Sequence, residues 1–242
     1  MLFRTQDKRR SFFHDLGLAA LLSMAAGSVN SAGFFAFDVL TTNVTGHMAL
    51  LANDLVAHNW QAAYMKAIWM SLFLLGAFVS SLIMQGFHNY PRLAHLVPLL
   101  IEISILGTTI YFGYHFYDYG SMLSQFLAGS LLFAMGLQNS LITIVSGSVI
   151  RTTHLTGLFT DLGINLARLV IPHKKQENSI INKKLLLLFT IALNFFIGGV
   201  TGGFLFASYL FLAFIFPLSI LIMALIYDIA TFPPLPELEK EI

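Results

Sequence analysis

Apolar and polar positions fall along this chain in long blocks. Six blocks are apolar over about the 20 residues that a helix needs to cross a bilayer: Leu16 to Phe37, Trp60 to Gly86, Leu96 to Tyr117, Met122 to Ser146, Lys184 to Ser208 and Leu210 to Ile229. Each predicts a spanning α-helix. The last two are separated by almost nothing, so a tight helical hairpin is expected there. Between the first and second blocks, and again between the fourth and fifth, lies a segment too polar to span: Asp38 to Asn59 and Arg151 to Pro172. Each ends in a helical period, through Val44, Met48, Leu51 and Leu55 in one and Leu155, Leu158, Leu162 and Leu166 in the other. Thr41, Thr42 and Thr45 can cap the first short helix, and Thr152, Thr153 and Thr156 the second.

The two polar segments belong to a repeat. Gly27-Ser28-Val29-Asn30-Ser31 is followed by Thr41-Thr42-Asn43-Val44-Thr45-Gly46, and Gly136-Leu137-Gln138-Asn139-Ser140 by Thr152-Thr153-His154-Leu155-Thr156-Gly157. The shared pattern is GxxNS, a short gap, then TTx[V/L]TG. Leu75-Gly76-Ala77-Phe78 similarly matches Ile197-Gly198-Gly199-Val200, and Val97-Pro98-Leu99 matches Phe216-Pro217-Leu218. Each half holds three spans. Three is odd, so the second half starts from the opposite side of the bilayer, and the halves are expected to be inverted repeats. The expected fold class is an all-α integral membrane protein: about six transmembrane helices as two inverted three-helix repeats, each with a short amphipathic or re-entrant helix. The expected divisions are a basic N-terminus (1–15), a first membrane repeat (16–117), a second (118–230) and an acidic tail (231–242).

Composition agrees with this reading. Hydrophobic residues make up 57% of the chain and charged residues 10%, with a mean hydropathy of +0.77; soluble domains carry about 25% charged residues. A net charge of +1 without a broad basic face argues against a nucleic-acid partner. No cysteine is present, which removes disulfide and thiol chemistry. The placement of Lys and Arg sets the expected orientation. Arg4, Lys8, Arg9 and Arg10 precede the first span, Arg92 follows the second, and Arg151, Arg168, Lys174, Lys175, Lys183 and Lys184 follow the fourth. The opposite connections hold no Lys or Arg, with Lys66 just inside the second span. Both termini are therefore expected in the cytoplasm. A signal peptide is the rival reading of the N-terminus, but cleavage near Ala25-Ala26-Gly27 would destroy the first motif, so a retained helix is expected.

Polar residues inside the apolar blocks are the candidate chemistry. The short helices either lie flat on the membrane surface or re-enter it. If re-entrant, their N-termini at Thr45-Gly46 and Thr156-Gly157 would meet near the midplane and offer free N–H groups and a positive dipole end to an anion or carboxylate. Asn30 and Asn139 recur at matching places, as helix clamps or as solute contacts. Glu102 lies about 9 Å inside the third span, as a proton coupler, a cation ligand, or one partner of an interfacial ion pair. Arg151 stands before the second TTxLTG as an anion contact or as an ordinary positive-inside arginine. Gly76, Ala77 and Ser80, and more strongly Gly198, Gly199, Gly202 and Gly203, mark close-packing faces and candidate oligomer contacts.

No HExxH, histidine box, Walker loop or dinucleotide fingerprint occurs, so no metal, cofactor or enzyme activity is expected. Ser146 near His154 lacks the GxSG frame of a membrane serine protease.

GSVNSAGFF…TTNVTGHMALLANDL with FAMGLQNSLI…RTTHLTGLFTDLGINL resembles the YoaK family of bacterial membrane proteins, a domain-of-unknown-function family, over about Leu16 to Ile229. Members usually have Asp-Ala where this chain has Asn30-Ser31. The resemblance implies a six- or seven-span inner-membrane protein and no established activity. The expectation is a small-solute transporter or channel, with an anion or carboxylate as solute and the lipid bilayer as surroundings. The alternatives are a membrane scaffold or partner-binding subunit, and less so a membrane-embedded enzyme.

Overall fold

The structure, a computed structural model, describes residues 12–87, 90–145, 155–170 and 175–231. The expected N-terminal basic residues and the acidic tail lie outside them. The described residues form α1 (Phe12–Phe37), α2 (Val44–Val56), α3 (Trp60–Gly86), α4 (Pro91–Phe116), α5 (Met122–Val145), α6 (Leu155–Val170), α7 (Lys175–Tyr209), a 3-10 turn (Leu210–Phe214) and α8 (Ile215–Thr231), with no strand among them. Apolar composition gives the long helices no reason to stop, so the stops come from local geometry. Asp38, His58 and Leu210 take positive φ values of 55°, 56° and 50°, and at each the chain leaves a helix. Proline opens α4, where its missing N–H would have no partner anyway. Asn59 caps α3 by accepting from the Ala62 N–H at 3.3 Å.

Five stretches are long and apolar enough to cross a membrane. The expected fifth and sixth spans fall in a single stretch, Asn178–Ala230, of 53 residues. Its length as one helix would be about 80 Å, against a hydrocarbon core of about 30 Å. The 3-10 turn breaks it. Phe12 lies near Lys183 and Phe37 near Phe211, while Gly17 lies against Tyr227. Hence α7 runs parallel to α1 and α8 runs back. The expected tight hairpin is corrected in one respect. The two arms meet mainly at the corner, and each packs along α1 instead.

The other directions follow in the same way. Gln138 on α5 donates to the Leu22 carbonyl on α1 at 2.8 Å, and Leu131 lies near Gly33, so α5 crosses α1 antiparallel. Trp69 and Leu72 of α3 lie at Gly129 of α5, and Gly76 lies at Leu137, so α3 and α5 are parallel. His95 meets Asp228 and Gly113 meets Phe211, so α4 runs antiparallel to α8. Thus α1, α4 and α7 point one way and α3, α5 and α8 the other.

Two of these contacts are very close, and glycine allows them. An ideal Cβ built at Gly27 would stand 2.0 Å from the Phe195 carbonyl oxygen, and one at Gly198 2.0 Å from that of Met24. On the other pair, a Cβ at Gly76 would stand 2.0 Å from the Phe133 oxygen and one at Gly136 2.0 Å from that of Phe73. Backbone thus lies on backbone between α1 and α7, and between α3 and α5. This is the small-residue packing of membrane helices, where van der Waals contact replaces the hydrophobic drive. The fully buried side chains Leu22, Leu131, Met135, Ile191, Phe214 and Leu221 fill the centre between α1, α5, α7 and α8. By contrast α3 exposes Leu74, Phe78 and Leu82, a face suited to lipid and too apolar for water.

Candidate functional site

After Phe37 the chain folds back along α1. Thr42 returns to the level of Asn30, seven residues or about 10.5 Å before the end of that helix. Asn30 Oδ1 holds it there, accepting from the Thr42 N–H at 3.1 Å and the Thr42 hydroxyl at 2.9 Å. The expected threonine cap is therefore replaced. Asn43 caps α2, its Oδ1 accepting from the Gly46 N–H at 2.9 Å, because Thr42 is committed to Asn30. A Cβ at Gly46 would press on the Asn43 amide at 2.6 Å, which explains a glycine there. His47, one residue on, is buried and its Nε2 lies 2.9 Å from the Leu40 carbonyl oxygen. It pins the start of α2 a second time.

Each short helix is tied to the long helix after it. Asp54 on α2 pairs with Lys66 on α3 at 2.5 Å, and Asp161 on α6 with Lys184 on α7 at 3.4 Å. Asn165, almost wholly buried, donates to the Asp161 carbonyl at 2.7 Å. The lysine partners of Asp54 and Asp161 lie 12 and 23 positions away on other helices, so spacing gives no sign of them.

The starts of α2 and α6 meet at a cavity of about 750 Å³, within the range of small-molecule sites. Asn30 from α1, Asn43 at the cap of α2, Thr45 from α2, Asn139 from α5 and Thr156 from α6 line it, as do Ser71 and Phe73 of α3. Four of the sequence candidates, Asn30, Thr45, Asn139 and Thr156, therefore line the same cavity. Gly46 and Gly157 lie in the first turns just behind. Arg151 falls outside the described residues. Glu102 is elsewhere: it is fully buried on α4, does not line the cavity, and neither carboxylate oxygen has a hydrogen-bond partner among the described residues. Thr42, Asn43 and Ser71 were missed as lining residues. Thr42 and Asn43 stand inside the repeated motif itself, which is the signal that could have found them.

The described lining carries no charge and is mixed: Asn30, Thr42, Asn43, Thr45, Ser71, Asn139 and Thr156 supply its polar groups, and apolar side chains such as Leu51, Met70, Leu74 and Phe195 supply the larger share. Asn139 Oδ1 is buried with no hydrogen-bond partner among the described residues, and the Ser71 hydroxyl donates to the Ala67 carbonyl at 2.8 Å. Amides, hydroxyls and two helix N-termini can bind an oxygen-rich solute by hydrogen bonds. They offer no nucleophile and base in contact. Among the described residues no three His, Asp or Glu side chains gather as metal ligands would.

These features define an all-helical membrane protein with a cavity, lined by polar and apolar side chains, where its two short helices begin. The chain belongs to the family described as protein of unknown function (DUF1275), whose model matches residues 18–227. The YoaK family name is consistent with it. No curated protein and no solved structure matches the chain.

Proposed function

We propose that the protein is a small-solute transporter or channel of the bacterial cytoplasmic membrane, built from two inverted three-span repeats. The observation that carries this reading is the convergence of both TTx[V/L]TG segments on one cavity. The repeat reading is supported by reciprocal packing. Gly27 on α1 meets α7 as Gly136 on α5 meets α3, and Gly76 and Gly198 answer each other likewise. A pseudo-two-fold axis in the membrane plane would exchange those pairs. Six crossings follow if the 3-10 turn lies at the membrane surface. Both termini face the cytoplasm, supported by Arg92, Lys183 and Lys184 falling at the end of the bundle where α1, α4 and α7 begin. The short helices are re-entrant in this reading, and the return of Thr42 to the level of Asn30 supports it.

The favoured solute is a small anion or carboxylate. Two helix N-termini face the cavity, each with a positive dipole end, and no acidic side chain lines it among the described residues. In this reading Asn30, Asn139, Thr45, Gly46, Thr156, Gly157 and Arg151 contact the solute, Glu102 couples its movement to protons, and the protein is not an enzyme. The test is flux into liposomes that hold the purified protein, probed with chloride, acetate and lactate in turn. Thr156→Val and Asn139→Ala should cut the flux several-fold while the thermal unfolding midpoint stays near that of the parent. Flux equal to empty liposomes for all three probes removes the anion reading, and unchanged flux in both variants removes these residues from the mechanism.

A further inference from the structure

The cavity has a wall that a small anion would leave unused. Ala67, Met70, Ser71, Leu74 and Ala77 line it from α3, and steps of three or four residues keep them on one face of that helix. Ser71 is the only polar member of this stripe. From Ala67 to Ala77 it covers about 15 Å of helix axis. Leu51 of α2 and Phe195 of α7 add apolar surface. A chloride or acetate ion held by the amides and hydroxyls would leave this hydrocarbon facing water, which is unfavourable.

The same stripe reaches the outside of the bundle. Leu74 is 70% exposed and Ser71 is exposed as well, yet both line the cavity. Leu74 stands near the middle of the apolar span Trp60–Gly86, so in a bilayer its open side meets acyl chains. The helix arrangement leaves room beside it. The two glycine-packed pairs, α1 with α7 and α3 with α5, meet where α1 crosses α5. Among the described residues no Cα of α3 comes within 8 Å of one on α7. A cleft therefore separates α3 from α7, and α2 packs on the first of them and α6 on the second.

From this arrangement we propose that the cavity takes a single-chain carboxylic acid from the bilayer. The acid enters sideways between α3 and α7, lays its hydrocarbon tail along the α3 stripe beside Phe195, and sets its carboxyl group on the amides and hydroxyls where α2 and α6 begin. The carboxyl head rests on the reading of the site given under the proposed function; the tail and the lateral entry rest on the α3 wall. A tail gains little by leaving lipid for an equally apolar helix face. What holds the acid is its head, which finds hydrogen-bond partners in the cavity that the hydrocarbon core does not offer. The tail decides which acids fit, as apolar walls with a few placed polar groups do in other small-molecule sites.

Photolabelling of the full chain in lipid nanodiscs tests this without any flux. The probe is decanoic acid with a diazirine at the end of its tail, and mass spectrometry maps the adducts. They should gather between Ala67 and Ala77 of α3 and at Phe195. Excess unlabelled decanoic acid should cut them several-fold, and acetate should not. Ala77→Trp fills the slot and should cut them as far; Ala67→Leu does so with a smaller change of volume, and the thermal unfolding midpoint shows which variants are folded. Leu82→Trp, on the lipid face outside the cavity, should leave the labelling as it is. Adducts spread alike over Leu74, Phe78 and Leu82 and unchanged in the folded Ala77 or Ala67 variant overturn the proposal, because the acid is then dissolved in the surrounding lipid. Competition by acetate equal to that by decanoic acid overturns the role of the tail. Competed labelling without flux keeps this site and removes transport, whereas flux of chloride, acetate or lactate without competed labelling does the reverse.

Discussion

The 2.0 Å approaches at the four glycines lead to a quantitative prediction. Gly27→Ala places a Cβ that far from the Phe195 carbonyl oxygen, where ordinary contacts begin at 3.4 Å. The obstructing atom is backbone, so no rotamer change relieves it. Helices α1 and α7 must part locally by roughly 1.4 Å, and a gap of even 1 Å forfeits up to about half the dispersion well of the facing atoms. Overpacking typically costs about 1–3 kcal/mol, and a backbone-to-backbone clash belongs at the top of that range. About 3 kcal/mol lowers the ratio of folded to unfolded protein roughly a hundredfold. Gly76→Ala should cost a similar amount at the α3–α5 contact. Gly107→Ala is the control, because a Cβ there meets nothing within 4 Å; helix propensity should make it neutral or stabilising by up to about 1 kcal/mol. Unfolding by a denaturing detergent, followed by helical circular dichroism, reports the midpoints. Gly27→Ala with Gly198→Ala should cost less than the two single effects summed, since one separation serves both, whereas Gly27→Ala with Gly76→Ala should add. Equal midpoints for Gly27→Ala, Gly76→Ala and Gly107→Ala would refute the close-packing argument.

Asn30→Leu leaves the Thr42 N–H and hydroxyl without their acceptor, and should cost about 1–3 kcal/mol in the same unfolding assay; a cost under half of that would mean water replaces the amide. Asn43→Ala removes the cap of α2 and should cost about 1 kcal/mol, with faster amide exchange confined to residues 44–47; exchange that rises equally in α3 would contradict a local cap. Tyr119 donates to Asp38 across the turn after α4, and that hydrogen bond holds the phenol above its ordinary value. Asp38→Asn should bring tyrosinate absorbance in to lower pH, and an unchanged titration would remove the bond.

The long helices and both motifs were legible in the sequence because each is a local signal: run length, period and repetition. Gly76 and Gly198 could also be read as close-packing positions. What a glycine does not encode is its partner. Gly27 and Phe195 lie far apart in the chain, and nothing in either segment names the other. The cap of α2 was misassigned for a related reason. Thr42 and Asn43 are both good capping residues, and the choice is made by Asn30, twelve positions away on another helix. The repeat placed Asn30, Asn139, Thr45 and Thr156 together as candidates because each recurs at a matching place. Glu102 was visible as a charge in an apolar block, whereas the contact of His95 with Asp228 spans 133 positions and only the fold brings those two together.

The crossed pairing of α1 with α7 and α3 with α5 has a consequence for how the chain is made. The ribosome releases α1 first, yet the helix that covers Gly27 emerges more than 150 residues later. Neither half of the chain can close its own tightest contact, so half a chain has no finished native core. The first helix must wait in lipid, or beside the insertion machinery, until α7 arrives. Assembly is therefore a late, all-or-none event, and a nascent chain stopped before α7 leaves its glycine groove bare to any passing helix.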